Sequence, residues 1–562
     1  MADPGHHCPD NFRGADRLAS AVEHCGIKVV FSLSGNQIMP IYDAFNDIST
    51  RIVHVRHEAA AVFMAEAYAR VSGAVGVALV TAAPGFGNAL GALYSASMSE
   101  VPLILLSGDS PLGQDDQGAF QQFDQVAAAS PFVKASFRLS FDDDAARVFK
   151  DAASISEDGV PGPVHIALPF DVIESKMDSR SLPAVAADNA SRAVNRLDPA
   201  ADQLMRISAV LAAAERPLVL AGPHLFRAPR QAKHAMLSAA LDAPVVILDS
   251  PRGLHDPAQG ALRELLLAAD CVLYLGKPVD FTSGFGSDTV IRAKTILVVS
   301  EYAETLLHAG KVFTDRQLLS MQANAVATVQ HLIGRSENSG VSKDRPENRT
   351  DWNRYAVAAL EHRQLADSSD AAAYSKRIVD AIAAGLGQHP EAILICDGGE
   401  FGQWAQAFVR AGVRITNGPS GAIGASLPYA IGAKLARPDV PVIAIMGDGT
   451  AGFHLAEFET AARESLAITV LIGNDSRWNA EHLIQLENYG TDRTIACELS
   501  PETRYDLAAR GLGCDGVLAR DVSRLQAAVR NGLGASRPTC INVIMPGVAA
   551  PKYRSFEFAD MA

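Results

Sequence analysis

The chain has 562 residues, with Lys plus Arg at 49 against Asp plus Glu at 63, a formal net charge of −14. Hydrophobic residues make up 48% and charged residues 20%, which excludes wholesale disorder. The acidic balance disfavours a nucleic-acid footprint, which needs clustered Lys and Arg. At roughly 150 residues per domain, the length predicts about three to four domains. An anionic ligand must then be met locally, by a metal, backbone N–H groups or a helix start.

The N-terminus (MADPGHHCPDNFRG) lacks the apolar core of a signal peptide, and His6-His7-Cys8 reads as a frayed terminus. The other cysteines are Cys25, Cys271, Cys396, Cys497, Cys514 and Cys540, and no two form a C-x-x-C pair. That pattern fits reduced thiols, so a cytoplasmic protein is expected. The longest apolar runs are strand-sized and broken by Gly or Pro, so no membrane association is expected.

The predicted elements fall into three segments. Residues 10–180 carry the strand-like runs VGVALVTAA, VPLILLSGD and PVHIALP, with an Ala-rich helical stretch over 59–71. Residues 195–335 carry RPLVLAGP, APVVILDS, CVLYLG and KTILVVS. Residues 370–548 carry AILICDGG, PVIAIMGDG, AITVLIGND and CINVIMP, with a helical stretch over 455–466. The runs are continuously apolar rather than alternating, the mark of strands buried on both faces. Alternation with helices predicts an α/β fold of three doubly wound parallel-sheet domains. The polar stretches 178–199 and 334–355 read as linkers. Ligands in such sheets sit beyond the carboxyl ends of the strands, so the strand tips are where a site is expected.

The strongest local pattern is Gly447-Asp448-Gly449-Thr450, after one strand and before a helix. Asp475 ends the next strand. Two carboxylates on neighbouring strand tips supply hard oxygen ligands suited to Mg²⁺ or Ca²⁺. Thr450 and the helix start offer donors to phosphate oxygens.

The stretch from Gly447 through Asn474-Asp475 resembles the signature of thiamin-diphosphate (ThDP) enzymes of the acetolactate synthase type, G-D-G followed by N-N. The resemblance implies Mg²⁺ held by Asp448, Asp475 and the backbone carbonyl of Arg477, with Asp475 standing where Asn is usual. Gly418-Pro419-Ser420-Gly421-Ala422-Ile423-Gly424 is similar to the stretch that grips the aminopyrimidine. There the Gly421 carbonyl is implied to accept from the 4′-amino group, and Ile423 to force the bent cofactor form that lets the cofactor remove its own C2 proton. Gly398, Gly399, Glu400 and Phe401 match the loop approaching the diphosphate, with backbone N–H groups, not the Glu400 side chain, expected to make the contact.

In the first segment, Arg56-His57-Glu58-Ala59-Ala60-Ala61 resembles the R-H-E-x-x-A motif. Its glutamate, Glu58, is implied to share a proton with N1′ of the pyrimidine and favour the reactive imino tautomer. Thr81 through Asn88 resembles the loop near the cofactor, which makes Pro84 and Asn88 cofactor contacts. Gly118-Ala119-Phe120-Gln121 resembles the A-F-Q-E segment. Gln121 is expected to hydrogen-bond a substrate carbonyl or hydroxyl, with Phe120 walling the pocket. Ser34-Gly35-Asn36-Gln37 falls on the loop facing the thiazolium, so Asn36 or Gln37 is expected as a neutral polar contact. No match exists for the double-histidine pair of pyruvate decarboxylases, and Thr81 occupies the active-site histidine position of benzoylformate decarboxylase. A pocket poor in acid–base side chains suits lyases and carboligases better than simple decarboxylases.

Within this superfamily of acetolactate synthase, 2-hydroxyacyl-CoA lyase and benzaldehyde lyase, the third segment is most similar to the 2-hydroxyacyl-CoA lyase 2 (acetolactate-synthase-like) branch, through D-G-G-E-F at 397–401 and the Asn474-Asp475 pair with Trp478. The implied activity is a carbon–carbon lyase or carboligase acting on 2-hydroxyacyl, acyloin or 2-oxo acid substrates through a ThDP carbanion or enamine. Acetolactate-synthase-type decarboxylating carboligation is the competing reading. A CoA thioester is among the candidate substrates, although Lys552 and Arg554 give only a thin basic lid for its phosphates. FAD is not expected, because LGKPVDFTSGFG (275–286) lacks the arginine-rich context of flavin contacts. A flavin-dependent ThDP oxidase and a non-catalytic ThDP-binding protein are the readings from other classes. An NAD dehydrogenase is disfavoured because Gly85-Phe86-Gly87 lacks the third glycine of the dinucleotide motif. A homodimer or homotetramer with the cofactor at the subunit interface is expected.

Overall fold

The computed structural model describes residues 12–177, 197–228, 230–339 and 346–556. His6-His7-Cys8, most of the stretch 178–199 and the last six residues of the tail lie outside them. The chain forms two compact units, Met1–Val194 and Asn195–Ala562.

The first unit holds a six-stranded sheet of β1 (Val29–Ser32), β2 (Arg51–His54), β3 (Gly76–Val80), β4 (Leu103–Asp109), β5 (Ala135–Arg138) and β6 (Pro163–Pro169), in the order β2-β1-β3-β4-β6-β5. The second unit holds two sheets. One has β7 (Pro217–Ala221), β8 (Val245–Ile247), β9 (Cys271–Leu275), β10 (Thr295–Ser300) and β11 (Gln317–Gln322), in the order β11-β10-β9-β7-β8. The other has β12 (Ile393–Cys396), β13 (Val413–Thr416), β14 (Val442–Gly447), β15 (Ile468–Asn474), β16 (Asp515–Ala519) and β17 (Thr539–Ile544), in the order β13-β12-β14-β15-β17-β16. Counted from its own first strand, the third sheet repeats the order of the first. All pairings between these strands are parallel. These are the three α/β layers expected from the apolar runs.

Local chemistry explains the elements that matter for function. The helix Glu58–Ser72 starts where the His57 side chain accepts from the Ala59 N–H, and it stops at Gly73 in the left-handed conformation. Its residues are apolar nearly all round and largely buried, as a helix packed against a sheet and a second helix requires. That second helix, Pro84–Met98, opens with Pro84 in its first turn behind Ala83, which sits at φ 41°. A non-glycine residue there stores strain, which marks the loop after β3.

One expectation is corrected. The stretch 334–355, read as a linker, is helical to Ser339 and again from Arg349. Trp352, Tyr355, Ala356 and Ala359 are buried in the core of the central sheet, at helical spacing. Arg349 is 2% exposed and donates to the carbonyls of Leu211, Ala212, Ala214 and Asp242. The stretch is poor in aliphatic residues, yet it docks through aromatic rings and a buried guanidinium.

Among the described residues no helix is long and apolar enough to cross a membrane.

Candidate functional site

In the third sheet the strand order reverses between β12 and β14, which leaves a crevice at their carboxyl ends. Gly398-Gly399 follows β12, Asp448-Gly449 follows β14, and Asp475 follows β15. These tips line one cavity of about 290 Å³, together with Glu400, Phe401, Gly421, Ile423, Gly447, Thr450 and Arg477. Twelve of the residues singled out from sequence are thereby brought together from four separate stretches of the third segment, 398–401, 421–423, 447–450 and 475–477.

Asp448 is 3% exposed. Its Oδ1 accepts from the Gly449 N–H at 2.9 Å, while Oδ2 is buried with no hydrogen-bond partner. Burial pushes the Asp448 carboxyl up to about 6. Burial and then the like charge of Asp448 push Asp475 up to about 7. Asp448 is buried and Asp475 half-buried, and a cation between two such carboxylates would relieve both the burial and the charge repulsion felt by Asp475. Among the described residues no group of three or more His, Cys, Asp and Glu side chains forms a closed metal cage. A donor set of two carboxylates and a backbone carbonyl fits Mg²⁺, which completes its shell with phosphate oxygens and water.

The backbone at residues 476–478 is pinned for such a role. Arg477 makes an antiparallel bridge with Glu498, Trp478 N–H donates to Cys497 O at 2.6 Å, and Leu499 N–H donates to Ser476 O at 2.7 Å. The two residues of the Asn474-Asp475 pair divide the work. Asn474 is buried and its amide bonds Thr503 O, Asn542 Oδ1 and the Ser476 N–H and hydroxyl. Asp475 alone lines the cavity. The Thr450 hydroxyl, expected as a phosphate donor, donates to Gly447 O at 3.0 Å.

Asp397 is the residue that sequence reasoning missed in the DGG run. It is fully buried, and its Oδ1 accepts from the N–H groups of Gly398 and Gly424 at 2.8 and 3.0 Å, while Oδ2 accepts from Ser426 N–H at 3.2 Å. One carboxylate thus staples the loop after β12 to the loop that carries Gly421 and Ile423. A Cβ on Gly398 would lie 2.7 Å from Ile423 Cγ2, so only glycine lets the two loops meet. Glu400 opens the helix Glu400–Phe408; its Oε2 is buried without a hydrogen-bond partner, and burial raises its pKa.

Three lining residues, Ser250, Pro251 and Arg252, come from the loop after β8 of the central sheet. Arg414 beside β12 holds that loop, bonding Asp249 at 2.7 Å and Asp256 at 2.9 Å. No local motif announces this contribution, because it depends on packing between two sheets distant in sequence.

In the first unit, Glu58 is 7% exposed and its Oε2 accepts from Asn88 Nδ2 at 3.0 Å. Pro84 starts the same helix that presents Asn88. Gln37 is buried and its Nε2 donates to Gln121 Oε1 at 2.7 Å, while Thr81 donates to Gln37 Oε1 at 3.1 Å. The structure therefore brings Gln37 and Gln121 together directly, with Thr81 bonded to Gln37 from the other end of its amide. Asn36 is exposed and Phe120 is 70% exposed, so neither packs against this group within the unit.

Comparison with known proteins agrees with this arrangement. Residues 12–128 match the thiamine pyrophosphate enzyme, N-terminal TPP binding domain, and residues 397–543 match the thiamine pyrophosphate enzyme, C-terminal TPP binding domain. The chain is 28% identical over 546 residues to a probable acetolactate synthase of Mycobacterium bovis, covering 95% of this chain and 96% of that protein. It is 29% identical over 560 residues to 2-hydroxyacyl-CoA lyase 2 of Homo sapiens, covering 90% of this chain and 85% of that protein. A 2-hydroxyacyl-CoA lyase 2 of Bos taurus is likewise 29% identical, over 556 residues. The strand-tip crevice, the buried carboxylate pair and both domain matches lead to one conclusion: the chain belongs to the thiamine pyrophosphate enzymes.

Proposed function

We propose that the protein is a ThDP- and Mg²⁺-dependent carbon–carbon lyase or carboligase acting on 2-hydroxyacyl, acyloin or 2-oxo acid substrates. The observation that carries the reading is the Asp448–Asp475 pair, buried at the sheet's switch point with Asp448 Oδ2 lacking a partner. When bound, ThDP would supply a nucleophilic carbon for addition to a carbonyl and a cationic thiazolium ring to take up the electron pair of the bond broken beside it. The chain's own residues do the rest. Asp448, Asp475 and the Arg477 carbonyl would hold the metal, and the backbone N–H of Gly399, at the start of the helix Glu400–Phe408, would meet the diphosphate, the N–H groups of Gly398 and Gly449 being bonded to Asp397 and Asp448. Gly421 and Ile423 set the pyrimidine's place and the cofactor's bend. Glu58, with its Oε2 held by Asn88, holds a proton against the pyrimidine ring nitrogen. Gln121 binds the substrate oxygen, and Phe120 and Asn36 complete the pocket.

The three domains serve as pyrimidine-binding (10–180), central (195–335) and diphosphate-binding (370–548) parts. A homodimer or homotetramer that holds the cofactor between the first segment of one chain and the third of another completes the proposal. Flavin has no part in this proposal, and the location proposed is cytoplasmic. The second reading, decarboxylating carboligation of 2-oxo acids, is favoured by the likeness to acetolactate synthase over nearly the whole chain. A substrate panel with product analysis tests both. Acyloins and 2-hydroxyacyl-CoAs cleaved to aldehydes support the lyase, CO₂ and acetolactate from pyruvate support the synthase, and no turnover of any member contradicts both.

A further inference from the structure

We propose that Thr81 and Gln37 are positioning residues that fix the carboxamide of Gln121 with its N–H₂ end presented to substrate, so that the site selects a ligand oxygen that accepts. The inference rests on the lyase or carboligase reading. The chain of hydrogen bonds has a direction. The Thr81 hydroxyl donates to Gln37 Oε1 at 3.1 Å, and Gln37 Nε2 donates to Gln121 Oε1 at 2.7 Å. The oxygen of Gln121 is thereby engaged, which leaves its Nε2 as the end available to a carbonyl or alkoxide oxygen. Gln37 is only 6% exposed, so its amide is committed to this exchange and is not a substrate contact.

The backbone supports the same role. Gln121 lies at φ 60°, a strained position for a residue with a side chain, and the turn closed by Gln122 N–H to Ala119 O at 3.0 Å holds it there. A Cβ on Gly85 would lie 2.7 Å from Thr81 Cγ2 and 3.2 Å from Glu58 Oε1, so this glycine lets Thr81 approach the activating carboxylate. Donors aimed at an oxygen that gains charge during bond cleavage are worth most when they need no reorganisation.

Gln37→Glu reads the direction. A carboxylate has no N–H to give, so Gln121 must turn its N–H₂ toward residue 37 and its oxygen toward substrate. With the opposite direction, the same variant would be tolerated. Thr81→Val removes the first donor without changing volume or charge. The expected results are a fall in kcat of about 100-fold for Gln37→Glu and about tenfold for Thr81→Val, with KM moved less and ThDP affinity by titration calorimetry unchanged. In a Gln121→Ala background neither substitution lowers kcat further. Methyl acetylphosphonate, a 2-oxo acid analogue that cannot lose CO₂, gives a readout apart from turnover: Gln37→Glu weakens its binding to the ThDP-loaded protein by about tenfold. If Gln37→Glu fails to fold, Thr81→Val alone and in the Gln121→Ala background carries the test. Wild-type kcat and probe affinity in Gln37→Glu, a loss undiminished in the Gln121→Ala background, or no binding of the probe to the wild type overturns the proposal. Absence of wild-type turnover across the substrate panel, with the probe still bound, overturns the reaction reading instead.

Discussion

Asp448 and Asp475 are costly to hold together at the crevice without the cation proposed between them. Without metal, each carboxyl binds its proton more tightly folded than unfolded, since burial raises both pKa values, to about 6 and about 7. A raised carboxyl pKa opposes folding once pH climbs above the unfolded value and is fully felt above the folded one. The metal-free protein therefore gains from Asp475→Asn at pH 8, by about 1–2 kcal/mol after allowance for relaxation, and the gap closes toward pH 5. Thermal melts of both proteins in a chelator check this; equal melting temperatures at pH 8 would refute it. The same protons compete with metal, so Mg²⁺ affinity should fall as pH drops through 7 to 6. Glu58→Gln keeps the Asn88 contact geometry but alters the proton held against the cofactor. It should lower kcat by about 100-fold or more while ThDP affinity by calorimetry changes little, and full activity in that variant would refute the assignment.

At the scale of elements, the sequence was legible mainly where strands lie inside a sheet, with β8, marked by APVVILDS, the edge strand that it also located. The apolar runs located β3, β4 and β6, β7 to β10, and β12, β14, β15 and β17. The strands they passed over include β2, β5, β11, β13 and β16, and every one of these is an edge strand. Edge strands are covered on fewer sides and carry residues such as Arg51, His54, Arg138 and Gln317, so no continuous apolar run marks them. The four-residue β1 (Val29–Ser32) lies inside its sheet and was passed over as well. Site motifs behaved differently. GDG, DGG and RHE were readable because one strand tip and its helix start lie within a few residues. Asp397 acting on Gly424, Arg252 reaching the cavity and Thr81 bonding Gln37 depend on contacts between tips far apart in the chain. The helix Arg349–Glu361 offers a test at this scale. Arg349→Met removes the donor to four carbonyls of the central domain and should destabilise by about 3 kcal/mol, measured as a lower denaturation midpoint; an unchanged midpoint would mean that the aromatic face of the helix holds it alone.

For the whole molecule, the first and third sheets share one strand order, and in the proposed function one supplies an activating carboxylate and the other a metal-binding pair. The assembly proposed for this division is a dimer or a pair of dimers. Light scattering of the active protein should show a mass of at least twice 59.4 kDa, and full activity in a monomer would contradict it. On the proposed function the acidic balance at −14 is no obstacle to a diphosphate, because the anion would be met inside the crevice by a metal on Asp448 and Asp475 rather than by a basic surface. Titration calorimetry of ThDP into the metal-free protein, with and without Mg²⁺, tests that claim most directly. The account predicts saturable binding of one ThDP per chain that requires Mg²⁺ and is lost in Asp448→Ala. Binding of equal affinity without metal, or unaltered in Asp448→Ala, would contradict it.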